Sequence, residues 1–442
     1  MKPSRRSALG LLGAAPLAAS RALSPSRALS PSSALNPSGA LNPSGAVALA
    51  ATGPSGPPSA LLPGGAYDQF VRGLADQDKF SGTVLLAWHG EPVLVRSYQM
   101  ADKALDIPNR AGTMFLLASL TKFFTGVAVT QLAAQGKIGF HATLGSYVDG
   151  FPPAIANTVT VHQLLTHTSG VPDFSMSAAW RNELPGWTTN AEAFDGTLSF
   201  LRQLPLSFTP GTAYTYSNSN FFLAGAIVAH ASGQAFWDYV PQHIFGPAGM
   251  TSTAFVSAQQ QMTDPRIAHN YSAPLADGQH QDLTPHIAMG PNGWDGAGGA
   301  FSTAPDLLRF VRALTDGTLL GPAWAAVIAS GKHPISPAEQ NPDQAPSRST
   351  LVGYGTEERI IGTGATGAAS AAQRAYGHTG GLLIRIGGSS QPGGGSTSLS
   401  IYPDLGVVAV VLSNYYLYPG IGTFLAQQDR ILGEVLERKA EK

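Results

Sequence analysis

The strand patterns of this chain lie at its two ends. SGTVLLAWHGEPVLVRSYQMAD (residues 81–102) and STSLSIYPDLGVVAVVLSN (residues 396–414) each read as two strands, around turns at His89–Glu91 and at Pro403–Gly406. The long stretch between them reads mostly as helix and loop. A sheet assembled from N- and C-terminal pieces, with the central part inserted as a second lobe, satisfies that order. The last strand pattern runs into a helix, TFLAQQDRILGEVLERKAE, and the first is preceded by one, AYDQFVRGLADQDKF, where the folded part is expected to begin near Ala66.

Residues 1–20, MKPSRRSALGLLGAAPLAAS, set a basic segment ahead of an apolar run too short to span a membrane, which is the layout of an export signal. Arg5 and Arg6 resemble a twin-arginine signal; an ordinary signal with a chance Arg pair is the alternative. Residues 21–65 open with a six-residue repeat, RALSPS RALSPS SALNPS GALNPS, and stay rich in Ala, Ser, Pro and Gly, so a low-complexity spacer is expected. Cleavage near Ala18–Ser20 and near Ala48–Ala50 both fit. The layout implies an exported bacterial protein, periplasmic or extracellular. The 442 residues contain no cysteine, so no disulfide is used. A formal net charge of −1 provides no field for nucleic acid or an anionic membrane surface. Charged residues make up only 12% against 43% hydrophobic, which describes a globular bulk with a large core. A monomer with no cofactor, no metal and no membrane span in the mature chain is expected, acting on a small molecule or peptide.

One charged residue interrupts the stretch FLLASLTKFFTGVAVTQLAAQG (115–136), which otherwise reads as a buried apolar helix: Lys122. On a helix, Ser119 shares its face three residues earlier. Burial of the amine disfavours its charged form and lowers its pKa toward the range where it accepts a proton from serine. The other reading is a lysine that snorkels from the edge of a core helix. In PGTAYTYSNSNFFLAGAIVAHASG, Tyr216, Ser217 and Asn218 precede an apolar helix. A tyrosine hydroxyl relays protons and an amide such as Asn218 both donates and accepts, while Ser217 and its neighbours also suit a helix cap. In AYGHTGGLLIRIGG, His378, Thr379, Gly380 and Gly381 open a strand pattern, where glycines admit close approach of a substrate and the Gly381 amide can face that of Ser119 across a carbonyl oxygen. A glycine turn ahead of a strand is the plainer reading.

In this order and spacing, the three segments resemble the serine β-lactamase and penicillin-binding protein superfamily. The likeness is to its tyrosine-containing branch of class C β-lactamases, D-alanyl-D-alanine carboxypeptidases and related esterases and D-amino peptidases. LLTHTSGVPDF (164–174), GAGGAFSTAPDLLRF (296–310) and IYPDLGVVAVVLSN (401–414) match as well. The resemblance implies an α/β (α+β) fold: an antiparallel sheet flanked by helices from residues 66–145 and 291–442, and a mainly helical lobe from 146–290. It also implies Ser119 as acylated nucleophile, Lys122 and Tyr216 as proton-transfer pair, Asn218 orienting lysine and substrate, and an oxyanion hole from the Ser119 and Gly381 amides, with His378, Thr379 and Gly380 along the substrate. His167 is assigned to structure.

One position departs from the pattern. Many relatives carry Lys-Thr-Gly where this chain has His378-Thr379-Gly380, so recognition of a substrate carboxylate is weakened, improving as pH falls through the histidine pKa as long as the Lys122–Tyr216 pair still functions. Arg374 and Arg385 are candidates to replace the charge. Deacylation is expected to use Tyr216 and Lys122. The reading is an acyl-enzyme serine hydrolase for esters or amides; the alternatives are a true β-lactamase, or an idle relative that only binds penicillin or peptidoglycan. A Gly-x-Ser-x-Gly elbow and metal-ligand histidine spacing are both absent from the sequence.

Overall fold

The computed structural model describes residues 56–287, 295–336, 349–361, 373–384 and 392–440. The expected export signal, the hexapeptide repeat and Arg385 lie outside them. Eight strands form one antiparallel sheet in the order Glu91–Tyr98, Gly82–Trp88, Val407–Ser413, Gly393–Tyr402, Gln373–Ile384, Glu357–Ile361, Ser349–Val352, His333–Ile335. The N-terminal hairpin thus docks on the C-terminal one, Gly82 opposite Ser413 and Trp88 opposite Val407. Its two-residue turn holds His89 and Gly90 at φ 49° and 83°, and positive φ at both positions suits the right-handed strand twist.

Both faces of the sheet are covered, which is why its strands are apolar runs rather than alternating ones. Period-two geometry still sorts them. Val84, Leu86, Val407, Ala409 and Val411 pack with Tyr67 and Val71 of the helix Ala66–Asp76 and Phe424, Ile431 and Leu432 of the helix Ile421–Ala440. Leu85, Ala87, Val408, Val410 and Leu412 belong instead to the large core that holds the helices Thr121–Ala134, Asn218–Ser232 and Ala304–Thr315. Among the described residues no helix is long and apolar enough to cross a membrane.

Two expectations shift at the edges of elements. Leu61, inside the expected spacer, is fully buried in the first of these cores and lies in the short turn Ser59–Leu61. Phe115 and Leu116 are strand rather than helix because they pair with Ser302 and Phe301. The helix then begins at Thr121, preceded by a 3-10 turn over Ala118–Leu120.

Candidate active site

Ser119 stands in that 3-10 turn, directly ahead of the helix that carries Lys122. Ala118, just before it, has φ 48°, a left-handed conformation that a non-glycine residue adopts only when its surroundings impose it. The imposing contacts are visible on both sides: the Leu117 amide donates to Ala300 O at 2.8 Å, and Leu117 O accepts from Thr397 Oγ1 at 2.9 Å. The serine is therefore presented on a sharp bend where a smooth helix start was expected, and the sequence carries no glycine to signal it.

Twelve of the fourteen residues of the helix Thr121–Ala134 are buried, Lys122 among them at 0% exposure. Its Nζ reaches Ser119 Oγ at 3.0 Å, Asn218 Oδ1 at 2.8 Å and Ala297 O at 2.7 Å, so the amine turns into the core and does not snorkel. Ala297 O comes this close because Gly296 lies against the adjacent helices: a Cβ there would sit 2.5 Å from Phe221 O. Burial pulls the Lys122 pKa down from 10.5 to about 7, against the opposing charges of Asp295, Asp173 and Glu357. Two of the three Nζ partners are carbonyl oxygens, which only accept. A neutral amine satisfies both with its two N–H bonds and is left with its lone pair toward the Ser119 hydroxyl.

Tyr216 Oη donates to Ser119 Oγ at 2.7 Å. The ring keeps 36% of its surface exposed, while burial around the hydroxyl pushes its pKa up from the ordinary tyrosine value, so it stays a proton donor. His167 brackets it. The His167 carbonyl accepts from the Thr215 amide at 3.0 Å, its Nδ1 accepts from the Ser217 amide at 3.2 Å, and its ring stacks on Tyr216 with centroids 4.4 Å apart. Asn220 Nδ2 also lies 3.1 Å from Nδ1, so the ring is held in its Nδ1-acceptor form, and burial drives its pKa well below 6.5. The structural assignment of His167 thus acquires a location: it supports the tyrosine.

Asn218 is the first residue of its helix. Ser217 occupies the cap position but makes no capping bond with its side chain; Asp173 takes the Asn218 amide instead, at 3.1 Å, a carboxylate at a helix N-terminus. Asp295 accepts from the Ala297 and Gly298 amides, each at 2.7 Å, and burial raises its pKa. Neither acid was singled out in the sequence, although Asp173 lies in LLTHTSGVPDF and Asp295 borders GAGGAFSTAPDLLRF.

The third segment lies inside the strand Gln373–Ile384, not at its start, which removes the glycine-turn reading. Pairing with Glu357–Ile361 ends at Gly377, whereas pairing with Gly393–Tyr402 continues to Ile384. Beyond Gly377 one edge of the strand runs past the serine turn, and a Cβ on Gly380 would lie 2.0 Å from Leu117 O. Gly381 is exposed, with open space where its Cβ would be. Thr379 is half-buried. His378 is buried and its Nδ1 lies 2.5 Å from Thr379 O, a carbonyl that accepts, which leaves Nε2 an acceptor in the neutral ring. Burial lowers its pKa below 6.5, with Lys122 adding to the effect and Glu357 opposing it. Lowering the pH protonates Lys122, whose pKa is about 7, before it charges His378, whose pKa burial lowers from 6.5, so loss of the base opposes the low-pH gain for anionic substrates. Arg374 is likewise engaged, pairing with Glu358 and donating to Ala329 O. Among the described residues no cluster of three or more His, Cys, Asp or Glu side chains fits a metal ion.

Ser119, Lys122, Tyr216 and Asn218 are thus joined in one hydrogen-bonded group, with the glycine strand alongside. The sequence matches the Beta-lactamase family over residues 67–431, most of the chain. This chain belongs to the β-lactamase family. It is 30% identical over 267 residues to esterase EstB of Burkholderia gladioli, covering 55% of this chain and 68% of that protein. It is 29% identical over 240 residues to the putative penicillin-binding protein PbpX of Bacillus subtilis, covering 54% of this chain and 56% of the relative, so the match spans about half of PbpX. D-amino acid amidase from Ochrobactrum anthropi shares the fold, with a TM-score of 0.64 at 22% identity over 85% of this chain and 99% of the other. These β-lactamase-family relatives are hydrolases and penicillin-binding proteins, and the chain is a serine hydrolase of that family.

Proposed function

We propose that this enzyme hydrolyses carboxylic esters through an acyl-enzyme on Ser119, without requiring a substrate carboxylate. The observation that carries the reading is the set of three partners on Lys122 Nζ, which directs the lone pair of a neutral lysine at the nucleophile. In acylation, the Ser119 proton passes to Lys122 as Oγ bonds to the acyl carbon. The oxyanion forms in reach of the Ser119 and Gly381 amides, and the departing alkoxide takes the Tyr216 proton. The Lys122 ammonium then returns its proton to Tyr216, which restores both groups to their starting forms. In deacylation a water hydrogen follows the reverse route as the water oxygen attacks, and Ser119 is released. Esters are favoured because neutral His378 presents an acceptor and Arg374 is occupied, so the support for gripping a carboxylate is weak. The basic and apolar N-terminus supports export of the enzyme.

An active-site-directed fluorophosphonate should label one residue, Ser119, by peptide mapping, and labelling should vanish in Ser119→Ala. An adduct elsewhere, or undiminished labelling of the variant, would sink the mechanism. For substrate choice, kcat/KM is compared for p-nitrophenyl butyrate and a chromogenic cephalosporin. The ester should be turned over readily at and above the Lys122 pKa of about 7, and the cephalosporin weakly at every pH in which the chain stays folded. A cephalosporin value of about 10⁶ M⁻¹s⁻¹ or more, with little ester turnover, would make this a true β-lactamase.

A further inference from the structure

We propose that Asp173 is a positioning residue that fixes which way the Asn218 amide faces, and thereby which partner receives the Lys122 lone pair. This rests on the acyl-transfer reading above. Asp173 Oδ2 accepts from the Asn218 backbone amide at 3.1 Å and from Asn218 Nδ2 at 2.9 Å. Its Oδ1 accepts from the amide and the hydroxyl of Ser175 at 2.9 and 2.8 Å, and Ser175 Oγ accepts a further bond from Asn218 Nδ2 at 3.2 Å. A carboxylate accepts only, so the amide nitrogen must face it and Oδ1 must face Lys122. With the amide reversed, Oδ1 would oppose the carboxylate and an N–H would point at Nζ. A neutral lysine would then accept from Asn218, and its lone pair would turn away from Ser119.

The acid is itself held against the helix it serves. Ser219 Oγ donates to Pro172 O at 2.5 Å and accepts from the Phe174 amide at 2.9 Å, which pins both neighbours of Asp173 to the first turn of the helix Asn218–Ser232. The charges that reach Lys122 are those of Asp295, Asp173 and Glu357, while His167, His378 and Tyr216 face the same space. Asp173 therefore also keeps the Lys122 pKa from falling further, and neutralising it moves that pKa down.

The test is a pH profile of kcat and KM for p-nitrophenyl butyrate in the full chain, for wild type, D173N, N218D, the double variant D173N/N218D, and S119A. In D173N the Asn218 amide has no enforced direction; kcat should fall by about 10²-fold, with KM little changed and the acid limb displaced to lower pH. In the double variant the carboxylate introduced at position 218 accepts from Lys122 and from the carboxamide introduced at position 173, so direction is enforced again. That variant should regain at least about tenfold in kcat over D173N, with the acid limb moved upward. Thermal melts confirm that each variant is folded, which the coupling requires of all four corners of the cycle; if N218D alone is unstable, the gain of the double variant over D173N still carries the test. A coupling between positions 173 and 218 below about threefold, or an unshifted acid limb in D173N, overturns the proposal. Turnover surviving in S119A would instead strike the acyl-transfer reading itself.

Discussion

Lys122→Ala lowers kcat/KM for an aryl ester by about 10²- to 10⁴-fold, the loss typical of removing a positioned base, while circular dichroism stays native. The substitution leaves Ser119 Oγ with Tyr216 as its remaining side-chain partner, and Tyr216, its pKa raised by burial, donates and does not take the proton. The wild-type profile carries the same signature. Because the Lys122 pKa is lowered to about 7, the neutral and competent form grows as pH rises through 7, so kcat/KM should climb there and level off above it. In the alanine variant that limb should be gone. Near-normal turnover in Lys122→Ala, or a wild-type limb close to the ordinary lysine value of about 10.4, would show that the lysine is not the base.

Gly380→Ala should displace the serine turn. Its Cβ would sit 2.0 Å from Leu117 O and 2.4 Å from Thr397 Oγ1. Leu117 is the residue from which the bend at Ala118 and Ser119 begins, and its carbonyl is bonded to that same threonine hydroxyl. Overpacking costs about 1 to 3 kcal/mol, the broken hydrogen bond adds about 1 kcal/mol, and a displacement of the nucleophile by about 1 Å costs about 10²-fold in rate. Thermal midpoint and ester kcat/KM should fall together. Gly381→Ala, whose added carbon meets no atom within 4 Å, should leave the thermal midpoint unchanged. Equal midpoints for the two variants would mean that the strand does not hold the serine turn.

Much of the architecture was legible in the sequence because it rests on local periodicity. Apolar runs bounded by turn residues marked the strands of both terminal hairpins, and the helix after Ser119 was recognisable from an apolar stretch whose one charged residue is Lys122. Leu61 escaped because an isolated Leu61–Leu62 pair in a Pro-, Ser- and Gly-rich segment has no periodicity to betray it; only the sheet face it covers makes Leu61 core. The strand Phe115–Leu116 escaped for a similar reason, since its partner lies far along the chain at Phe301–Ser302. In the site, Ser119, Lys122, Tyr216, Asn218 and the His378–Gly381 run were found from spacing and residue chemistry. Asp173, Asp295 and the tyrosine-supporting role of His167 were not, because an acid within a loop motif is indistinguishable from a solvated one until its acceptors are seen to be filled.

The sequence by itself determined the inventory and its order: a serine and a lysine three residues apart in an apolar run, a tyrosine and an amide at a second one, and glycines in a strand pattern. Those depend on neighbours along the chain. The tertiary structure alone decided the states of these groups. The Lys122 pKa is pulled down to about 7 because helices and the Ala297 carbonyl close over it, and that of His378 is lowered because the sheet buries it. The Asn218 amide faces one way because a carboxylate 45 residues earlier can only accept. Ala118 holds a left-handed bend because two distant segments grip Leu117. Protonation, amide direction and backbone strain are set by desolvation and by the filling of hydrogen-bond partners, and both depend on contacts made across the fold.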